Sequence, residues 1–147
     1  MNLLQIKQTS NILDLLHTKK INYVSLTVFK NNLPVVFQCN HEEWLYYHKA
    51  HYNVDHQSPV QKYIISSKLN VLIWNLLNFD SQTREYIQRK NHIVDVKTNI
   101  SLVYQKNEQL IAMTLGTKQS NRYLIDFINY KADCLSLIMK NLFYNTF

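Results

Sequence analysis

Residues 40–60, NHEEWLYYHKAHYNVDHQSPV, concentrate the side chains of this chain that could do chemistry. The stretch holds four histidines, two glutamates and one aspartate among four aromatic rings, and it ends on a Ser-Pro step. Such a mixture could form a metal site or a small-ligand pocket, or it could be an ordinary helix followed by a turn. The spacing of the residues has to decide among these three.

A metal site is the first possibility. On a helix that begins near residue 41, His48 and His51 stand at i, i+3, and His51 and Asp55 at i, i+4, so pairs of them share one face. The zinc-protease pattern HExxH is absent, however, and nothing in the sequence identifies a third ligand. We therefore expect no metal and no cofactor, and we expect the histidines to form the exposed side of the helix.

Nucleophilic catalysis finds no better support. There is no GxSxG elbow, Cys134 falls inside a helix among apolar neighbours, and Cys39 lies too close to His41 in sequence to imply a dyad. The single glycine excludes glycine-rich phosphate loops. We expect a protein that is not an enzyme, with two buried free thiols in a reducing compartment.

The aromatic residues allow a pocket. Trp44, Tyr47 and Tyr52 lie close to helical spacing, and Trp74 ends a short apolar segment further along the chain. Aromatic walls with a few polar groups are the usual construction of a small-ligand pocket. The same residues could equally form an ordinary core, and the spacing leaves both interpretations open.

Two polar patterns have a structural explanation. Asn40 followed by Glu43 resembles an N-cap with its capping box, and Ser58-Pro59-Val60-Gln61 combines a serine cap, proline at the first helical position and glutamine at N3. Such a cap contributes about 1 kcal/mol. Both patterns therefore predict helix starts without requiring a ligand.

The elements that must position these residues follow from the hydrophobic periodicity. The patterns predict, in order, a helix over 3–17, a hairpin of strands 22–30 and 34–39 turning at Asn31-Asn32, helices from residue 41 and over 59–67, a central strand over 69–74, a helix capped by Asp80 or Ser81, a second hairpin of strands 98–105 and 109–117, and a long helix beginning at Ser120. This order predicts a single α+β domain with one antiparallel sheet and helices on its faces.

The long C-terminal helix is apolar over more of its surface than one core contact requires. The main stripe is Leu124, Phe127, Ile128, Leu135, Ile138 and Leu142, and Ile125, Ala132, Met139 and Phe143 lie beside it. The alternatives are a helix fully buried against its own sheet and a helix that also contacts a second subunit.

Charge and hydropathy place further bounds on function. The net charge of +6 is spread along the chain, with no basic run or stripe that would indicate a DNA-binding surface. No signal peptide is visible, and no apolar run reaches the length of a membrane span. We expect a cytoplasmic protein that binds neither DNA nor membranes by itself.

Several of these features occur in an order that resembles a known family. INYVSLTVF, then NHEEW and a following tyrosine, then SPV, then a tryptophan after a short strand, resemble the autoinducer-binding domain of LuxR-type quorum-sensing regulators. The likeness continues through TNISLVY and QLIAMTLGT and covers roughly residues 12 to 145. It implies an α-β-α sandwich related to PAS and GAF folds, which binds acyl-homoserine lactones between sheet and helices and forms homodimers.

The resemblance also implies roles for particular residues. Trp44 matches a tryptophan whose indole N–H bonds the lactone carbonyl, Trp74 matches a wall of the lactone pocket, and Thr114 matches a residue that bonds the acyl amide. His48, with Tyr47 beside it, stands where the family has a tyrosine. The implied ligand-binding residues are Trp44, Tyr47, His48, Ser58, Trp74 and Thr114.

Two departures from the family pattern change the expected ligand and the expected mode of action. Ser58 replaces the aspartate that accepts the ligand amide N–H, which argues against a standard acyl-homoserine lactone. The sequence also ends at Phe147 without the family's helix-turn-helix. We expect a sensor of a small amphipathic signal molecule, either as part of a longer regulator or as a standalone modulator. The alternative is a ligand-free PAS/GAF-like interaction and dimerisation module.

Overall fold

The computed structural model describes residues 11–16, 18–67 and 69–147. Within the predicted opening helix, residues 11–15 are helical, whereas 3–10 and 17 lie outside the described residues. The remaining elements are β1 (Ile21–Lys30), β2 (Leu33–Cys39), α1 (Glu42–His51), α2 (Pro59–Ser67), β3 (Val71–Ile73), a 3₁₀ turn (Trp74–Leu76), α3 (Ser81–Val94), β4 (Thr98–Lys106), β5 (Gln109–Thr117), α4 (Asn121–Tyr130) and α5 (Ala132–Thr146).

The five strands form one sheet in the order β2-β1-β5-β4-β3, and all neighbouring strands run antiparallel. Both predicted hairpins are confirmed, and both turn on asparagine: Asn31, Asn32 and Asn107 have φ of 52°, 62° and 59°. Asparagine tolerates this left-handed region better than most residues. It therefore supplies the turns in a chain with one glycine.

Helices cover both faces of the sheet, so the predicted α-β-α sandwich with a central antiparallel sheet is confirmed. Alternation along the strands separates the two faces. Leu26, Met113 and Leu115 point to residues 11–16 and to helices α4 and α5. Tyr23 and Ala112 point to the opposite side, where helices α1, α2 and α3 pack. We call the first side the apolar face and the second the mixed face.

The position predicted for the third strand is wrong. Residues 71–73 form a three-residue strand that pairs only with β4, at the edge of the sheet and not at its centre. The chain leaves the extended conformation at Trp74, where the 3₁₀ turn begins. The short strand leaves Val71 50% exposed.

The predicted long C-terminal helix is interrupted. Lys131, with φ −100° and ψ 14°, ends α4, and α5 begins at the next residue. Both helices still pack on the apolar face, through Leu124 of α4 and Leu135, Met139 and Phe143 of α5. Leu124 and Leu135 of the predicted main stripe are thus buried, but the other two buried residues belong to the predicted second set. The other four residues of the main stripe are only partly buried, and the predicted continuity of the helix is wrong.

The predicted helix caps have mixed outcomes. Asp80 and Ser120 cap α3 and α4 by accepting from the N–H groups of Thr83 (2.7 Å) and Tyr123 (3.2 Å). Asn40 does not cap α1, because its side chain joins β1, accepting from the Val24 N–H and donating to the Asn22 carbonyl. His41 caps α1 instead, its Nδ1 accepting from the Trp44 N–H.

Within the described residues, no helix combines the length and the apolar character that crossing a membrane requires.

Candidate functional site

The candidate site is a small cavity on the mixed face, between the sheet and helices α1, α2 and α3. Its volume is about 20 Å³, which is room for a single water molecule. We call it the inner cavity. Its lining residues are Tyr23, Ser25, Thr27, Phe37, His48, Ser58, Val60, Gln61, Ile64, Trp74, Tyr86, Lys90 and Thr114.

The inner cavity brings together four of the six residues implied by the sequence, namely His48, Ser58, Trp74 and Thr114. Trp44 and Tyr47 do not line it. Trp44 is fully buried and stacks on Tyr47 with ring centroids 5.4 Å apart, and Tyr47 lines a separate surface groove.

Two of the lining residues are joined by a hydrogen-bonded chain beneath the sheet. The Trp74 indole N–H donates to the Ser101 hydroxyl at 2.8 Å, and the hydroxyls of Ser101 and Thr114 lie 2.6 Å apart. All three side chains are buried, and Ser101 pairs with Thr114 across strands β4 and β5. Trp74 and Thr114 are thus held in place by protein contacts.

Lys90 is the only lysine among the nine lining residues that the sequence did not predict. It lies on α3, is 1% exposed, and places its ammonium nitrogen 4.0 Å from the centre of the Tyr23 ring and 4.9 Å from that of Trp74. Both ion pairs found within the described residues are on the surface and neither includes Lys90. Burial lowers the pKa of Lys90 to about 7, since a charged amine is disfavoured away from water.

The buried stripe of α3 could have revealed this lysine. The buried positions of the helix are Thr83, Tyr86, Lys90 and Val94, at spacings of three and four residues. Lys90 therefore occupies a core position of an amphipathic helix. A lysine at such a position is rarely fully buried without a reason.

Polar neighbours hold Lys90 from one side. Its ammonium donates to Asn99 Oδ1, and Asn99 donates in turn to Asn91 Oδ1 at 2.9 Å. The only glycine of the chain, Gly116, lies next to this contact, and a Cβ at that position would stand 3.1 Å from Asn99 Oδ1. Asn99 of β4 pairs with Gly116 of β5, and the absence of a side chain at residue 116 leaves room for the Asn99 amide.

His48 corrects the prediction that the histidines form the exposed side of α1. It is 2% exposed and stacks on Phe37 with ring centroids 3.7 Å apart. Burial lowers its pKa to about 3, so the ring is neutral at physiological pH. Its Nε2 has no hydrogen-bond partner among the described residues.

Trp44 lies in an aromatic cluster just outside the inner cavity. Besides Tyr47, its ring contacts His48 and Tyr86 edge-on, at 5.9 and 5.5 Å between centroids. Its indole N–H is buried and, within the described part of the chain, lacks a hydrogen-bond partner. Native interiors leave few buried polar groups in this state.

Ser58 performs the capping role that its pattern predicts. The Gln61 N–H donates to the Ser58 hydroxyl at 3.2 Å, and the Ser58 N–H donates to Gln61 Oε1 at 2.9 Å. This reciprocal pair is a capping box. Ser58 also lines the inner cavity. Asp55, the aspartate nearest to Ser58 in sequence, is exposed and does not line the cavity.

A larger groove opens at the surface beside the inner cavity. It has a volume of about 270 Å³ and runs between β2 and α1, where Val35 and Val54 give it apolar walls and Lys49 a charge. Three side chains, Phe37, His48 and Gln61, line both this groove and the inner cavity. They form the partition between the two spaces. We call the larger space the outer groove.

No group of three or more metal-ligating side chains with suitable geometry occurs within residues 11–16, 18–67 and 69–147. His51 Nδ1 lies 2.8 Å from the Tyr47 carbonyl, and Asp55 falls beyond the end of α1. The two therefore do not share a helical face as the predicted spacing required.

Comparison with known proteins gives a limited result. No protein-family model matches the chain, and no curated protein matches its sequence. Among solved structures, the crystal structure of Escherichia coli SdiA is similar, with a TM-score of 0.49 and 17% sequence identity over 81% of this chain. SdiA is a LuxR-type autoinducer-binding regulator. The matched region covers 54% of the SdiA chain, so this protein spans about half of its length.

Proposed function

We propose that this chain is a sensor domain that binds a small amphipathic signal molecule on the mixed face of its sheet, at the inner cavity. It would act in transcriptional regulation of the quorum-sensing type, as part of a longer regulator or as a standalone modulator, and it would form homodimers. It has no catalytic role in this proposal. The family resemblance of residues 12 to 145 suggested the idea, and the polar lining of the cavity supports it.

The observation that carries the proposal is the convergence of buried polar side chains on one cavity. Ser25, Thr27, Gln61, Lys90 and Thr114 are each 5% exposed or less and all line the inner cavity. A core selected only for packing would place apolar side chains here, because each buried polar group must find a partner or lose free energy. Ligand pockets use this combination of aromatic walls and a few polar groups.

Binding requires the cavity to expand. Pockets for small ligands usually measure roughly 300 to 1,000 Å³, whereas the inner cavity and the outer groove measure about 20 and 270 Å³. Displacing the partition of Phe37, His48 and Gln61 would join the two into one space of suitable size. A ligand would thus be bound by a rearranged state, which it selects and stabilises.

Thermal unfolding with a panel of acyl-homoserine lactones, hydroxyketones and fatty acids tests the proposal. A ligand at one hundred times its dissociation constant should stabilise the fold by about 2.7 kcal/mol. Thr114→Val should weaken the response, because it removes a hydroxyl from the cavity wall and keeps the volume. Thr98→Val is the matched control, since Thr98 is also a buried strand threonine with one side-chain hydrogen bond but does not line the cavity.

The second candidate is a ligand-free PAS/GAF-like interaction and dimerisation module. The small volume of the inner cavity favours it, as does an apolar groove of about 320 Å³ between the β3 edge and helices α4 and α5. Nearby, Leu137 and Tyr144 on α5 are 61% and 58% exposed.

Thr114→Val, at a residue that lines the inner cavity, separates the two candidates. Loss of ligand response with stability retained would favour the sensor, whereas destabilisation without any ligand response in the parent protein would favour the module. Light scattering during gel filtration reports the oligomeric state in both cases. Weakened dimerisation of Leu137→Glu would assign the dimer contact to α5.

A further inference from the structure

The inner cavity is basic. Lys90 is the one residue lining it that can carry a positive charge at neutral pH, and the thirteen lining residues include no aspartate or glutamate. The ammonium donates to Asn99, and a lysine ammonium has three donors. On the other side it faces the rings of Tyr23 and Trp74. Two of its three N–H donors thus have no hydrogen-bond acceptor among the described residues, and Lys90 lines the cavity.

We propose that the signal molecule carries a carboxylate, which pairs with Lys90 in the inner cavity, while its apolar chain passes the partition into the outer groove. This inference rests on the proposed function and specifies its ligand class. The family resemblance implies that an acidic residue of the protein recognises the ligand. Here Ser58 stands at that position and the basic residue Lys90 lines the same cavity, so the recognising group has the opposite charge.

The energetics of the folded protein favour a carboxylate over a neutral head group. Ordinarily the desolvation of both ions offsets much of the gain from a buried ion pair. Here the folded protein has already removed Lys90 from water, so on binding only the carboxylate loses its hydration, and the attraction is set against one desolvation instead of two. A charge-assisted hydrogen bond is also about twice as strong as a neutral one.

The shape of the two spaces fits an amphipathic acid. Once expanded, the inner cavity would place a compact polar head next to Lys90, and the outer groove offers Val35 and Val54, which are 45% and 39% exposed, to an apolar chain. Phe37, His48 and Gln61 line both spaces.

Among the titratable side chains around the cavity, Lys90 alone changes charge near neutral pH. Burial keeps the pKa of His48 at about 3 and raises that of Cys39, on the adjoining strand β2, to about 11. Burial also raises the pKa of Tyr23 and of Tyr86. Carboxylate binding should therefore weaken as the pH rises above 7, by at most about tenfold per pH unit, because it needs Lys90 protonated.

Calorimetric titration of the full chain with three probes of matched chain length tests the inference: decanoate, 1-decanol and N-decanoyl-homoserine lactone. We expect decanoate to bind about tenfold more tightly than either neutral probe at pH 6.5. Lys90→Met should abolish this preference. Lys140→Met, which removes an exposed lysine of α5 on the opposite face of the sheet, is the control and should retain it.

A second pair of variants keeps the test informative if Lys90→Met is poorly folded. Ser58→Asp would place a carboxylate in the same cavity and should compete with decanoate for Lys90, whereas Ser58→Asn, which also caps helices well, should not. Tighter binding of a neutral probe by the parent protein, or a decanoate preference that survives Lys90→Met, would overturn the carboxylate inference and leave the sensor proposal standing. Absence of binding by all three probes and by the wider panel would overturn both.

Discussion

The two faces of the sheet differ in the kinds of side chain that they bury. On the apolar face, Leu115, Met113 and Leu124 are fully buried among aliphatic neighbours. On the mixed face, polar side chains on the strands meet aromatic rings and a buried lysine on the helices. The apolar face is mainly aliphatic, although it also buries Gln38, whose amide lacks a hydrogen-bond partner among the described residues. The mixed face instead gathers several buried polar side chains around one cavity. That difference locates the candidate site.

The largest effect should come from truncation on the apolar face. Leu124→Ala should lower the free energy of unfolding by about 3 kcal/mol, because it leaves a cavity in a fully buried cluster. On the mixed face, Thr114→Val should cost only about 1 kcal/mol, the usual worth of one hydrogen bond. Urea denaturation measures both, and equal losses would contradict the contrast between the faces.

A smaller effect concerns Lys90 and pH. Because its folded pKa is about 7, below the ordinary value of 10.5, the unfolded chain binds one more proton than the folded protein between these values. Stability should therefore rise with pH from 7 to 9, by as much as about 2.7 kcal/mol. Above pH 9 the raised pKa of Cys39 opposes the trend.

Lys90→Met should remove this rise, and Lys49→Met should leave it unchanged. Urea denaturation between pH 7 and 9 measures the slopes. A flat stability profile of the parent protein between pH 7 and 9 would mean that Lys90 is hydrated in the folded protein. The interior of the mixed face would then be less dry than its burial indicates.

The smallest of the three effects concerns His48 and acid. Burial lowers its pKa from 6.5 to about 3. Between these values the histidine is protonated in the unfolded chain and neutral in the folded protein. Between pH 6.5 and 5 the parent protein should lose about 2 kcal/mol of stability from this residue. His48→Phe keeps an aromatic ring against Phe37 and should lose less over the same interval, as denaturation at both pH values would show. His51→Phe, at an exposed position, is the control.

Much of the fold could be predicted because its signals are local. Alternation marked both hairpins, Asn31 and Asn32 marked the first turn, and Ser58 with Gln61 marked the start of α2. Asn40 was misassigned because its side chain bonds to β1, a strand distant in sequence. The position of residues 71–73 at the sheet edge likewise depends on pairing with a strand that comes later in the chain.

The candidate site was only partly predictable for the same reason. Trp74, Thr114, His48 and Ser58 do lie around one cavity, whereas Trp44 and Tyr47 lie outside its lining. Their roles toward a ligand remain predictions. The caps and length of α3 do not reveal Lys90, because only its place on the buried stripe of the helix distinguishes it from an exposed lysine.

The sequence by itself determined the periodicity of the strands, the asparagine turns, and the caps of α2 and α3. These depend on contacts between residues a few positions apart. Only the tertiary structure decided that His48 is buried against Phe37, that three side chains separate the inner cavity from the outer groove, and that Lys90 faces the rings of Tyr23 and Trp74. These arrangements require the sheet to bring distant segments together, and burial then changes the chemistry of each side chain it encloses.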